Sequence, residues 1–221
     1  MSSVAPADDA AVSLLLPEEL LLLAFGPGGV VYRHAANGLH FGLAGAVVLE
    51  LVLRDRLELS DGDLVTRESA STGDDLLDDV LDQVRNQERS IGHWVRNLSP
   101  GSIRWRDRVA ERLVRQGIVD VERYKRLGLL QRVRYPLRQP AVADAQLSRL
   151  QAALFDAPPP QPRTVCLVSL AHACRLIDPI VDKARRKEAK RNAARIVEGE
   201  MVGPEVADAV RAANAAFGDG E

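Results

Sequence analysis

Leu39-His-Phe-Gly-Leu-Ala-Gly-Ala-Val-Val-Leu-Glu-Leu-Val-Leu53 is the stretch that decides the fold. Its only polar side chains are His40 and Glu50. A helix that is apolar on every side has no solvent face, so this one is expected at the centre of the molecule. At 15 residues it is shorter than the ~20 needed to cross a bilayer. Arg54 and Asp55 follow it directly. It is therefore read as a core helix.

Working outward, Ser13-Leu-Leu-Leu-Pro17-Glu-Glu-Leu20 opens a preceding helix. Pro17 suits a first turn, and Glu18 and Glu19 suit the positive end of the helix dipole. That helix is predicted to stop near Gly26-Pro27-Gly28-Gly29, with Val30–Tyr32 as a short strand. Downstream, Arg56–Leu59 and Leu64–Thr66 flank Asp61-Gly62, the signature of a hairpin. Further helices are predicted from Ser71, over Ile91–Leu98, over Ile103–Gln116 closed by Gly117, and over Val142–Phe155. A second hairpin-like element is read in Ile118–Val121 with Leu127–Tyr135. Ala157-Pro-Pro-Pro-Gln-Pro162 is a stiff connector. Three closing helices follow over Thr164–Ile177, Pro179–Glu198 and Pro204–Phe217. The fold class is mainly α, a compact single-domain helical bundle with short β-hairpins. Residues 1–12 read as a disordered tail and residues 13–221 as one domain.

With 221 residues and 46% hydrophobic content, the chain can bury a substantial core. Its N-terminus is acidic and lacks the basic start of a signal peptide. Cys166 and Cys174 lie eight positions apart in an apolar run, about 12 Å apart along a helix axis. They read as small core residues of a reducing compartment, not as a local disulfide. The localisation expected is cytoplasmic, with any membrane contact peripheral.

The net charge of −2 conceals a strong asymmetry. Residues 1–82 carry 15 Asp/Glu and 4 Lys/Arg, whereas residues 83–221 carry 16 and 25. Residues 104–138 alone hold 11 Lys/Arg against 4 Asp/Glu. On the predicted helix, Arg104, Arg108, Arg112 and Arg115 form one stripe, beside the apolar stripe of Trp105, Val109 and Leu113. Arg106 stands near the helix start, where free backbone N–H groups and a guanidinium favour an anion. The plainer alternative pairs it with Asp107 or with a carboxylate of the acidic third. The following Arg126–Arg138 stretch mixes Leu127, Leu129 and Leu130 with Arg132, Arg134 and Arg138. That composition suits an acidic membrane surface, the wing of a winged-helix nucleic-acid binder, or simple packing. Lys183–Arg191 is a third basic run, read as a solvated helix.

Enzyme signatures are missing. There is no Gly-rich phosphate loop, His-Glu-x-x-His, Cys-x-x-Cys or Gly-x-Ser-x-Gly. The acidic group Asp74, Asp75, Asp78, Asp79 and Asp82 reads as a helix first turn with a solvated face, not as a metal site. No catalytic residue, metal or cofactor is expected.

The ordered set of segments resembles the Golgi phosphoprotein 3 family. It runs from Leu16-Pro-Glu-Glu-Leu-Leu-Leu-Leu23 and Gly42-Leu-Ala-Gly-Ala-Val-Val-Leu-Glu-Leu-Val-Leu-Arg-Asp-Arg-Leu57 to Thr72-Gly-Asp-Asp-Leu-Leu-Asp78. Trp94-Val-Arg-Asn-Leu-Ser99, Arg108-Val-Ala-Glu-Arg-Leu-Val-Arg-Gln-Gly117 and Leu167-Val-Ser-Leu-Ala-His-Ala173 complete it. The resemblance implies a helical, non-enzymatic protein. Its eukaryotic members are peripheral on the Golgi membrane, bind phosphatidylinositol 4-phosphate and hold the cytoplasmic tails of glycosyltransferases. It links a hairpin matching Leu127–Pro136 to membrane contact and homo-oligomer formation. Of the family's headgroup pocket, one arginine falls on Arg106. A second falls on Ile103 with Arg104 adjacent, a third on Ala44, and the tryptophan on Ala35. Each lost charge-assisted contact removes roughly 1.5–3 kcal/mol, which leaves Arg104, Arg108 or His34 as the possible substitutes. The 25 Arg against 4 Lys suggest a bacterial member.

The expectation is a peripheral adaptor with an anionic-lipid surface at Arg104, Arg106 and Arg108. Leu127, Leu129, Leu130, Arg132 and Arg134 would form its membrane-contact or oligomerisation hairpin. Anionic phospholipid, cytoplasmic protein tails and a second copy are the expected partners, and nucleic acid is disfavoured. The alternatives are a winged-helix-like nucleic-acid-binding regulator and a cytoplasmic protein-binding scaffold.

Overall fold

A computed structural model describes residues 13–36, 38–85, 87–98, 105–126, 130–156 and 160–198. The predicted tail over residues 1–12 and the predicted helix Pro204–Phe217 lie outside these residues. The apolar stretch forms one helix, α2 (Leu39–Leu53), after α1 (Leu16–Ala24). The chain continues through β1 (Leu57–Ser60), β2 (Asp63–Thr66), α3 (Asp75–Val84), β3 (Arg89–Ser90) and α4 (Ile91–Asn97). Then come α5 (Trp105–Arg115), β4 (Glu122–Arg126), β5 (Leu130–Arg134), α6 (Pro140–Phe155), α7 (Pro162–Ala173), α8 (Ile177–Ile180) and α9 (Arg186–Val197).

Helix α2 is central, as its composition requires. It packs against α1, α3, α4, α5 and α7, and Gly42 to Leu51 are buried without a break. Its close fit depends on Gly42, where an added Cβ would meet Cys174 Sγ at 2.2 Å and Leu20 Cδ2 at 3.3 Å. Helix α1 is buried along its whole length, Glu18 and Glu19 included.

The first hairpin forms where predicted, with Leu57 opposite Thr66 and Ser60 opposite Asp63. Asp61 and Gly62 both take positive φ, at 51° and 90°. That twist matches the flanking strands of a two-residue hairpin. β3 adds a short third strand against β2, with Asp63 opposite Ser90. Two residues are too few to leave a signal in the sequence.

Four boundaries are corrected. Val30–Tyr32 is not a strand; Val31 makes a single bridge to Phe25. The second hairpin starts later than read, pairing Glu122–Arg126 with Leu130–Arg134. Its base extends to a bridge between Val119 and Leu137, so Ile118–Val121 forms the root and not the first strand. The predicted helix Thr164–Ile177 ends at Ala173. Arg175 turns left-handed with φ 57°, and Leu176 N–H donates to Ala171 O at 2.8 Å, closing a C-terminal cap. The predicted helix Pro179–Glu198 is broken: Val181 and Asp182 are extended (ψ 144° and 137°). A single helical turn over Lys183–Arg185 then leads into α9.

Cys166 and Cys174 are free and buried. Burial pushes both thiols up to about 12. Native protein at neutral pH should therefore not react with Ellman's reagent, whereas both thiols should titrate at once in guanidinium. Rapid labelling of the native protein would contradict the described packing.

Candidate anion-binding surface

Helix α5 carries the predicted arginines. Trp105, Val109, Ala110 and Leu113 are buried, as the apolar stripe required, and Trp105 Nε1–H donates to Leu98 O at 2.6 Å. The basic stripe beside it is divided. Arg112 is only 13% exposed and reaches three carboxylates at once. Its Nε lies 3.0 Å from Glu18 Oε1, Nη1 2.8 Å from Asp75 Oδ1 and Nη2 2.6 Å from Asp74 Oδ2. Burial alone would lower the pKa of this guanidinium, but the Glu18 and Asp74 carboxylates outweigh it and hold the pKa above its usual value. Glu18, fully buried, also accepts from Gln116 Nε2 and from Leu15 N–H. Arg108 pairs with Asp79 at 2.8 Å.

The acidic third of the chain is thus folded onto the basic middle. Two of the stripe's arginines are partners of α1 and α3: Arg112 is largely withdrawn from solvent, and Arg108, 27% exposed, shares its charge with Asp79. The acidic group on α3 is accounted for in the same way. Asp74 caps the helix by accepting from Leu76 and Leu77 N–H. Asp78 accepts from Ser71 Oγ and from Thr72 N–H and Oγ1, bonds that hold its carboxyl below the usual range. Asp82 pairs with Arg85 at 3.3 Å.

A second set of buried charges had no signal in the sequence. Arg163 lies 3.2 Å from Glu19 Oε1 and 3.0 Å from Glu50 Oε2, and donates to Leu14 O at 2.6 Å. Arg149 lies 2.8 Å from Glu19 Oε2, and Arg54 lies 2.8 Å from Glu50 Oε1. Glu50 Oε2 also accepts from Leu16 N–H at 2.7 Å, which places a carboxylate on the start of α1. Arg163 stands 144 positions from Glu19, beyond any local pattern.

Arg106 projects from the first turn of α5 and is 56% exposed. Its Nε and Nη2 reach Asp107 Oδ1 at 3.3 Å, the nearer of the two pairings considered from sequence. Arg104 and Ile103 lie outside the described residues. Ala35 and Ala44 are buried, with 1% and 0% exposure, so both family pocket positions are filled by the core. His34 is exposed, and its ring stacks on Tyr32 with centroids 5.8 Å apart.

Residues 122–125 and 131–134 are exposed on both faces. Leu127 and Leu129 lie outside the described residues, and Leu130 begins β5. Arg134 pairs with Glu122, Nε to Oε2 at 2.7 Å, and lies 5.8 Å from the centroid of the Tyr124 ring. The root is held firmly. Tyr135 N–H donates to Gly29 O at 2.8 Å, and its ring stacks on Phe25 with centroids 5.5 Å apart. Gly29 has φ 75°, and a Cβ there would lie 2.1 Å from the Tyr135 carbonyl, so the Pro27–Gly29 turn fits this contact only with glycine.

Among the described residues no helix is long and apolar enough to cross a membrane. Nor does any group of three or more His, Cys, Asp or Glu among them have a geometry that could hold a metal ion. The central apolar helix, the buried glutamates of α1 and α2 and the protruding basic ribbon form one continuous arrangement. The family model of Golgi phosphoprotein 3 (GPP34) matches residues 16–213, and the chain belongs to that family.

Proposed function

We propose that this protein is a non-enzymatic adaptor that docks peripherally on anionic membrane, on its cytoplasmic face. Arg106, with Arg104 beside it, would form the headgroup or anion contact, and Arg108 would add to it only by sharing its guanidinium with Asp79. The hairpin would form the second contact, through Leu127, Leu129 and Leu130 and the returning-strand arginines Arg132 and Arg134. The observation that carries this reading is the ribbon itself. It stands out from the core with Arg123, Lys125, Arg132 and Arg134 against Glu122. Arg123, Lys125 and Arg132 make no ion pair among the described residues. Juxtaposed cations of this kind are attracted to acidic lipid, each contributing about 1 kcal/mol.

Recognition would rest on general anionic charge and not on phosphatidylinositol 4-phosphate, because Ala35 and Ala44 supply no polar group. Helix α5 also makes a poor nucleic-acid reader, since Arg108 and Arg112 are committed to Asp79, Glu18, Asp74 and Asp75. Cytoplasmic protein tails and a second copy of the chain remain the proposed protein partners.

Vesicle co-sedimentation tests this. The protein should bind phosphatidylserine-containing vesicles at low salt and release as salt rises. Phosphatidylinositol 4-phosphate at matched charge should bind no more tightly. Arg104→Ala with Arg106→Ala should weaken binding by about tenfold or more. Absence of binding at low salt, or an unaffected double variant, would overturn the reading.

A further inference from the structure

The register of the ribbon sorts its side chains into two unlike faces. Arg123 is opposite Val133, and Lys125 is opposite Gln131. The same register continues to the root, where Val119 is opposite Leu137 and Asp120 N–H donates to Pro136 O at 2.9 Å. Because alternate residues share a face, Val121, Arg123, Lys125, Val133, Tyr135 and Leu137 lie together. Glu122, Tyr124, Arg132 and Arg134 lie on the other face.

The first face is the apolar one. Val121 is 50% exposed, Val133 43% and Leu137 37%. Each is an aliphatic side chain left in water, although the root of the same face is covered, Val119 being buried and Tyr135 stacked on Phe25. Val30, 44% exposed, follows the glycine that touches Tyr135. Arg123 and Lys125 stand among these residues without an ion pair in the described structure. Among the residues of the opposite face whose exposure is described, Tyr124 is the exposed large apolar one, and Arg134 there is already bound by Glu122.

Tyr135, on the first face, also feels the charges at the start of α5. The Tyr135 hydroxyl is raised first by burial and then by Asp107. Arg106 and Arg123 both lower it, and Glu111 raises it. Tyr135 therefore stands within electrostatic range of both Arg106 and Arg123. The first face thus carries two of the ribbon's unpaired cations, Arg123 and Lys125, together with the exposed valines.

We propose that the ribbon lies on an anionic lipid surface with its Val121–Arg123–Lys125–Val133–Leu137 face and turns its Tyr124–Arg132–Arg134 face to water. This rests on the peripheral membrane reading and narrows it: Arg132 and Arg134, and with them position 130 opposite Arg126, become the solvent side of the hairpin, and its membrane contact no longer runs through Leu130. Aliphatic groups flanked by cations suit this boundary, the former entering the acyl edge and the latter meeting headgroups. An acidic protein surface would match the cations but would leave the valines unmatched.

Full-length protein with Val121→Cys, Val133→Cys or Tyr124→Cys, labelled with an environment-sensitive nitrobenzoxadiazole dye, tests the face. All three positions are exposed, and the native thiols are buried, so labelling is selective. With phosphatidylcholine–phosphatidylserine vesicles, dyes at 121 and 133 should brighten and shift to the blue, and the dye at 124 should stay aqueous. Val121→Ser with Val133→Ser should weaken vesicle binding roughly tenfold, and Tyr124→Ser by less than about twofold. Binding that persists while dyes at 121 and 133 remain aqueous, or while the dye at 124 shifts instead, overturns the face assignment alone. No binding to anionic vesicles overturns the membrane reading with it. A blue shift that needs no vesicles and grows with protein concentration makes the face a contact between copies, and also overturns the proposal.

Discussion

Gly42→Ala should lower the unfolding free energy by about 2–3 kcal/mol, and Cys174→Ala should restore most of that loss. The added Cβ falls 2.2 Å from Cys174 Sγ, while Cys174 Cβ is 4.0 Å away. The clash is therefore with the thiol sulfur and not with the backbone of α7. Cys174 is 2% exposed, so its sulfur has little room to turn aside, and overpacking of this kind costs roughly 1–3 kcal/mol. Removing the sulfur opens the space that the new methyl needs. Guanidinium unfolding of the two single variants and the double variant gives the coupling, expected at about 2 kcal/mol in favour of the pair. If the two losses simply add, the close approach of α2 to the end of α7 is not what selects glycine here.

Arg163→Leu should cost about 3 kcal/mol or more, a loss of the same order for a different reason. Its guanidinium lies against Glu19 and Glu50, whose side chains are 4% and 1% exposed. Removing one partner of a buried pair leaves charge in a poor solvent, at roughly 3–5 kcal/mol. Arg149 and Arg54 still reach these carboxylates, which keeps the expected loss near the lower figure. Arg163→Lys should recover only part of it. One ammonium cannot meet Glu19, Glu50 and the Leu14 carbonyl as the planar fork does. Thermal unfolding decides the matter. A change below about 1 kcal/mol would mean that Arg163 behaves as a surface residue.

Read as composition, residues 104–138 are a charge patch facing outward. In the folded chain Arg108 and Arg112 are turned toward the acidic third, and the ribbon retains most of the segment's unpaired cations. Arg106 remains at the surface with Asp107 as its neighbour. The membrane reading therefore moves toward the hairpin and away from the body of α5.

Much of the architecture was legible in the sequence because it follows from local chemistry. The apolar run from Leu39 to Leu53 had to be central, since no face of it tolerates water. Asp61-Gly62 had to turn, since both residues accept positive φ. Gly117, with φ 69°, had to end α5. The apolar stripe of Trp105, Val109 and Leu113 had to face inward. Helix ends without a glycine or proline signal were misplaced, as at Arg175 and Val181, because there the stop is made by tertiary fit and not by the residue's own preference.

The candidate site was legible only in part. Sequence supplied the list of arginines and the alternation of the ribbon. It could not say which arginines were already neutralised, because Arg112 meets Glu18 from 94 positions away. Glu18 and Glu19 looked like favourable first-turn charges, and they are also the buried anchors of Arg112, Arg149 and Arg163. By itself, then, the sequence determined the helical class, the central helix and the presence of a basic hairpin, all products of short-range periodicity and turn chemistry. Tertiary structure alone decided which charges cancel in the core and which remain at the surface, because a long-range ion pair is fixed by packing and leaves no mark in the local order of residues.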